Sequence, residues 1–161
     1  MRGTWQVHPQ SDRIGQVSPD FTSIDHIGIA VKPGELESQV AIYRALGFRE
    51  LHREDVLGSD QVREVLLQIG DSANRVQLLE PLNANSPVAR QLEKNGNRGG
   101  IAHIAYRVRD IYRTYADVQA QGLEVIDRAP RPGSGGTTVF FIHPRSLGYL
   151  IEVVGEGGSG V

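Results

Sequence analysis

The sequence predicts an α+β fold in which two βαβββ modules pair into a single curved, mixed sheet. Three observations predict it. The run Ile24-Asp25-His26-Ile27-Gly28-Ile29-Ala30-Val31 is echoed by Ile101-Ala102-His103-Ile104-Ala105-Tyr106-Arg107-Val108. Each run is followed by a stretch of helical periodicity that closes on a glycine. Each helix is then followed by three short apolar segments separated by turn residues. An internal repeat of this length, present twice, reads as a duplicated module and not as a solenoid.

Taken in order, residues 24–31 and 101–108 are β-branched and apolar, with His in third place, and read as the first strand of each module. Leu36, Val40, Tyr43 and Leu46 recur at helical spacing, as do Ile111, Tyr115, Val118 and, more loosely, Gln121. Gly47 and Gly122 end these helices, since glycine enters the left-handed conformation of a helix C-terminus without strain. Second strands are expected over Phe48 to Glu54 and Leu123 to Arg128, third strands over Val62 to Ile69 and Thr137 to His143, and fourth strands over Val76 to Leu79 and Ile151 to Val154. The modules thus occupy residues 23–81 and 100–155. Between them, residues 82–99 form a linker with one helix, Ser86 capping it, Pro87 in its first position and Gly96 after its end. Residues 1–22 read as a poorly ordered leader, lacking the apolar stretch of a secretory signal.

Bulk composition narrows the function. A hydrophobic share of 39% with 22% charged residues is that of an ordinary globular domain, and no apolar run approaches membrane-spanning length. The net charge of −2 gives no field that would gather nucleic acid or an anionic membrane. Without cysteine there are no disulfides, thiolate metal sites or thiol nucleophiles, which fits a reducing cytoplasm.

The repeat exposes the candidate chemistry. His26 and His103 hold the same place in the first strands, and Gln77 and Glu152 the same place in the fourth. Side-by-side modules related by a pseudo-twofold axis would bring all four into one cleft. A lone strand histidine is more often a hydrogen-bonded core residue, and a lone Gln is ordinarily surface. Four polar residues at matched places in apolar strands are different: unpaired burial would be costly, and a shared cation removes that cost. The donors suit an octahedral divalent ion, Co²⁺, Mn²⁺, Ni²⁺ or Zn²⁺.

These residues and the repeat resemble the vicinal oxygen chelate (glyoxalase-like) superfamily, and within it the methylmalonyl-CoA epimerases. The resemblance is carried by residues 24–31, Val62-Arg63-Glu64-Val65, Val76-Gln77-Leu78-Leu79-Glu80-Pro81-Leu82, Ser86-Pro87-Val88-Ala89, Gly100 to Ala105, and His143-Pro144-Arg145-Ser146 continuing to Leu150-Ile151-Glu152. It implies His26, Gln77, His103 and Glu152 as metal ligands, with Glu64 and Glu152 as the acid/base pair acting on an acyl-CoA thioester, in a homodimer. The implied reaction inverts the 2-carbon of methylmalonyl-CoA or a close 2-alkylmalonyl-CoA. Read from the residues alone, Glu64 is equally a solvated strand residue beside Arg63.

One departure stands out. Where the family has Gln-Gly-Val, this chain has Ser59-Asp60-Gln61-Val62, so the lost glycine is expected to move Glu64 or reshape the pocket. Tyr149 is unusual and expected near the site. Arg131, Arg145 and Lys94 are candidates for coenzyme A phosphates, and residues 133–136 for a loop closing over substrate. His143 reads as structural, and His8 and His52 as leader or surface residues. Other readings of the same pattern are a glyoxalase-type isomerase, an Fe(II) extradiol dioxygenase using two His and one carboxylate, and a metal-free drug-binding protein.

Overall fold

The structure, a computed structural model, describes residues 20–156, so the greater part of the expected leader, with His8, lies outside the described residues. The first half contains β1 (Phe21–Ala30), α1 (Leu36–Ala45), β2 (Phe48–Val56), β3 (Val62–Ile69) and β4 (Arg75–Pro81), followed by α2 (Pro87–Lys94). The second contains β5 (Gly100–Val108), α3 (Ile111–Ala120), β6 (Arg131–Pro132), β7 (Thr138–Ile142), the short α4 (Pro144–Leu147) and β8 (Ile151–Gly155). The eight strands of the described residues join one curled mixed sheet in the order β2-β3-β4-β1-β5-β8-β7-β6. No described helix is long and apolar enough to cross a membrane.

The duplication is visible in the register. β1 lies parallel to β4, β5 lies parallel to β8, and β1 and β5 meet antiparallel at the centre. His26 and His103 are 77 residues apart, and the same offset relates Ile27 to Ile104. Those two residues are direct partners in the β1–β5 ladder, so the pseudo-twofold axis passes through that pair. Register shifts between Ile24 and His26 and between Gly28 and Ile29 place one extra residue at Asp25 and one at Ala102, again equivalent positions. Each half therefore carries a β-bulge immediately before its histidine.

Helices cover one face of the sheet. Leu36 and Val40 of α1 pack on Val65, Leu67, Val76 and Leu78, while Ile111 and Val118 of α3 pack on Phe140, Ile142, Ile151 and Val153. The opposite, concave face stays open, apart from one end where Val88 and Leu92 of α2 cover Ala30, Val62, Leu79 and Ala102. The expected helix signals are in place: Ser86 Oγ accepts from Val88 N, and Gly47 and Gly122 take φ of +94° and +78° past their helices.

Three expectations change. β1 begins at Phe21, so Phe21 and Thr22, expected in the leader, are strand residues. Residues 123–128 do not form a strand. Only Val125 bridges, to Ile142, and Asp127 Oδ2 accepts from Phe141 N at 2.7 Å, so a side chain takes a donor that a neighbouring strand carbonyl would take. Pro130 and Pro132 remove further donors, leaving β6 as a two-residue edge. Third, residues 134–136 form a 3-10 turn rather than a free loop; Gly135 N donates to Glu54 Oε1 at 2.9 Å.

The turn before Glu64 keeps a glycine-like backbone without glycine. Gln61 has φ +47°, a left-handed conformation strained for a side-chain-bearing residue. Its amide compensates: Nε2 donates to the carbonyls of Leu57 and Gly58, and Oε1 accepts from Asn83 at 2.9 Å. Glu64 consequently stays in register, opposite Glu54 and Leu79. Both Gln61→Ala and Gln61→Gly lose these bonds, but only glycine relieves the strain. Urea unfolding should find Gln61→Gly about 1 kcal/mol more stable than Gln61→Ala; equal stabilities would mean that the left-handed turn carries no strain.

Candidate active site and metal centre

In a sheet, residues paired laterally share a face, and residues two apart along a strand share it too. His26 is paired with Ala105, and Ala105 with Glu152; His103 is paired with Gly28, and Gly28 with Gln77. All four predicted ligand residues therefore lie on the concave face, around the pseudo-twofold axis, and all four are buried. Gly28 makes the arrangement possible. A Cβ built there would stand 2.3 Å from Cε1 of His103, so only glycine leaves the imidazole room to lie across β1.

His26 Nε2, His103 Nε2 and Glu152 Oε2 form a tight triangle. The two nitrogens are 3.1 Å apart, and the carboxylate oxygen is 3.1 Å from His26 and 2.9 Å from His103. Adjacent donors in an octahedron with bonds of about 2.1 Å stand about 3.0 Å apart, so the triangle matches one face of an octahedral divalent ion. The charges also match. Burial opposes the ionised form of Glu152, yet hydrogen bonds from His103 and His26 hold its carboxyl well below the usual carboxylate range. Burial likewise opposes a charged His26, but hydrogen bonds to Asp25 and Glu152 override it and push the imidazole up to about 9. Without a cation, a proton thus occupies this cluster.

Asp25 joins the cluster without any periodic signal in the sequence. It follows Ile24 at the bulge, its Oδ2 lies 2.7 Å from His26 Nδ1, and it is 7% exposed. The signal was the Asp-His pair, but simple strand alternation puts neighbours on opposite faces, and only the bulge lets them meet.

Gln77 and Glu64 form the second part of the site. Gln77 Nε2 donates to Glu64 Oε2 at 3.0 Å, and Glu64 Oε1 is buried with no partner among the described residues. Burial pushes the Glu64 carboxyl up to about 7, helped by the charges of Glu54 and Glu152 and opposed by the neighbouring Ser134 hydroxyl. The reading of Glu64 as a solvated residue is therefore overturned: it is 5% exposed, and Arg63 instead pairs outward with Asp55. Glu64, Gln77, His103 and Glu152 line one cavity of about 330 Å³, whose apolar walls include Val62, Leu79, Val139, Phe141 and Leu150.

The weaker candidates separate. Arg131 is committed to Asp60 and Asp127 and sits over the Phe141 ring, and the exposed Arg145 pairs with Glu124, so neither is a free cation. Lys94 lines the cavity together with Arg90. His143 caps α4 by accepting from Arg145 N, and the exposed His52 pairs with Glu54. Tyr149 is displaced from the expected place: its hydroxyl bonds that of Tyr106 at 2.6 Å, and both line a separate apolar cavity beside α3.

Comparison with known proteins identifies the family. The family model described as glyoxalase/bleomycin resistance protein/dioxygenase superfamily matches residues 25–141. An ethylmalonyl-CoA/methylmalonyl-CoA epimerase of Cereibacter sphaeroides is 33% identical over 81% of this chain and 95% of its own length. The crystal structure of methylmalonyl-CoA epimerase from Mycobacterium tuberculosis superposes with a TM-score of 0.79 at 33% identity, covering 87% of this chain and 91% of that one. That of Streptomyces coelicolor, in complex with 2-nitronate-propionyl-CoA, gives 0.77 at 38% identity over 86% of this chain and 99% of that one. With its paired halves, its concave His-His-Glu cluster and a family match over most of its length, this chain belongs to the glyoxalase/bleomycin resistance protein/dioxygenase superfamily.

Proposed function

We propose that this chain is a metal-dependent epimerase that inverts the 2-carbon of methylmalonyl-CoA or a close 2-alkylmalonyl-CoA. The observation that carries the proposal is Glu64: a buried carboxyl, raised to about 7, with one oxygen unpaired among the described residues, in the lining of a cavity it shares with His103 and Glu152. A general base works best when its pKa lies near the working pH. The epimerases similar in sequence and fold support the same substrate class.

His26, His103 and Glu152 would hold the cation, with Gln77 adding its Oε1, since its nitrogen is turned to Glu64. Co²⁺, Mn²⁺, Ni²⁺ and Zn²⁺ all accept this donor set. When bound, the cation supplies electrostatic stabilisation to the negative charge that develops when a hydrogen between a thioester and a carboxylate is removed. Glu64 takes that proton, and Gln77, bonded to its Oε2, aims the carboxyl. Inversion needs a second acid/base on the opposite face of the planar enolate, a role assigned to Glu152. The apolar walls limit water around the reacting carbon, and Lys94 and Arg90 of the same lining supply positive charge for the phosphates of a coenzyme A thioester. The assembly in this reading is a homodimer working in the cytoplasm.

One observation favours a second reading. The triangle has the composition of a two-histidine, one-carboxylate iron site, and Gln77 is bonded to Glu64. An extradiol dioxygenase would need Fe(II) and would consume oxygen; an epimerase would do neither.

Proton NMR in D₂O should show enzyme-dependent exchange of the 2-hydrogen of methylmalonyl-CoA by the metal-loaded protein. Glu64→Gln should slow it by roughly 10²- to 10⁴-fold. No exchange by protein that holds metal would reject the epimerase reading while leaving the metal site intact. A second prediction concerns pH. Because His26 holds a proton up to about 9 in the metal-free chain, binding must displace it. Affinity for a divalent ion should fall as pH drops below about 9, by up to about tenfold per unit, and level off above it. Calorimetry in buffers of different ionisation heat should detect the released proton; a pH-independent affinity would place the ion elsewhere.

A further inference from the structure

The two histidines are held differently, although the fold treats their positions alike. Both follow a β-bulge, at Asp25 in the first half and at Ala102 in the second. Only the first bulge carries a functional group. Asp25 Oδ2 reaches His26 Nδ1 at 2.7 Å, while its Oδ1 accepts from Arg75 Nη2 at 2.7 Å and also from Arg107. Arg75 Nε further donates to the Asp25 carbonyl at 3.2 Å, fixing the bulge backbone together with its side chain. Behind His103 stands a methyl group, and its carbonyl is taken by Gln91. His103 is instead positioned by shape, lying across Gly28 and meeting the Phe141 ring edge-on at 5.8 Å.

We propose that Asp25 is a positioning residue for His26, held in place by Arg75 and Arg107, and that it sets which imidazole nitrogen faces the site. This rests on the metal reading given above. The chemistry is one of allowed donors and acceptors. Both arginines can only donate, so Oδ1 is engaged as an acceptor. The ionised carboxylate has no proton to give, so His26 Nδ1 must be the donor to Oδ2. The lone pair of the neutral ring is then on Nε2, the atom that stands 3.1 Å from both His103 and Glu152. A ring free to take the other tautomer would present N–H there and repel a cation. Fixing the rotation and tautomer of one imidazole in advance removes an ordering cost that metal binding would otherwise bear, and such outer carboxylates typically matter by 10- to 100-fold in affinity. The site is thus asymmetric: one histidine is anchored by charge and the other by packing.

The test uses the full chain with Asp25→Ala, Asp25→Asn and Arg107→Gln, with Co²⁺ affinity measured by competition against a chromophoric chelator. Thermal unfolding of each metal-free protein is recorded alongside. Asp25→Ala should bind Co²⁺ about 10- to 100-fold more weakly. Asp25→Asn, which keeps an acceptor oxygen for Nδ1–H, should recover part of the loss, and Arg107→Gln should weaken binding in the same direction by less. A role confined to folding would lower the unfolding midpoint with Co²⁺ affinity within about twofold of the unaltered chain, and that result overturns the proposal. Should Asp25→Ala fail to fold, Asp25→Asn and Arg107→Gln decide between the same two outcomes. An unaltered chain that binds no Co²⁺ would remove the metal reading and this inference together, whereas strong binding that is indifferent to Asp25 removes this inference alone.

Discussion

The antiparallel pairing of β1 with β5 is the constraint on which the rest of the molecule depends. Because Ile27 is the partner of its own equivalent, Ile104, the two His-bearing strands cross at a pseudo-twofold axis, and His26 and His103 fall on either side of it. The parallel ladders then bring Gln77 alongside Gly28 and Glu152 alongside Ala105. A slip of one residue in the central pair would turn one histidine to the helix-covered face, where Ile27 and Ile29 pack against the α1 core. That face fixes the register hydrophobically, and the polar cluster on the other face follows from it.

Such a cluster is unfavourable without compensation. Two imidazoles and a carboxylate sit almost out of water, and unpaired groups there would cost several kcal/mol. In the metal-free chain the compensation is electrostatic: His26 carries a proton between Asp25 and Glu152, and Glu152 stays ionised between two imidazoles. A divalent ion can replace that proton with a larger charge at the same place. Glu64 lies outside this balance. With no cation bonded to it among the described residues, its carboxyl is raised by burial, so the two carboxyls of the cavity titrate differently because their surroundings differ. Holding a cation requires the one behaviour, and exchanging a proton near neutral pH requires the other.

Much of this was legible in the sequence, because duplication lets one half interpret the other. The echo of residues 24–31 in residues 101–108 located the central strands, and the matched places of His, His, Gln and Glu located the cluster. What was hidden had local causes. Asp25 was concealed by the bulge, since alternation says nothing about an inserted residue. The strand expected over residues 123–128 is apolar enough, but the Asp127 side chain takes the Phe141 donor, and Pro130 and Pro132 beyond it offer none to continue the ladder. The missing glycine at Gln61 was expected to disturb Glu64, and no pattern in the chain announces that a glutamine amide can brace a left-handed turn. The commitment of Arg131 is only half legible: Asp127 lies four residues before it, but Asp60 comes from the other half of the chain.

The proposed function needs one divalent cation held on the pseudo-twofold axis by side chains from both halves. Anomalous diffraction from crystals of the Co²⁺-loaded protein would locate that ion. One strong peak per chain is expected, about 2.0–2.2 Å from His26 Nε2, His103 Nε2 and a Glu152 oxygen. A chain saturated with Co²⁺ whose peak lies away from these three atoms, or no peak at all, would contradict it.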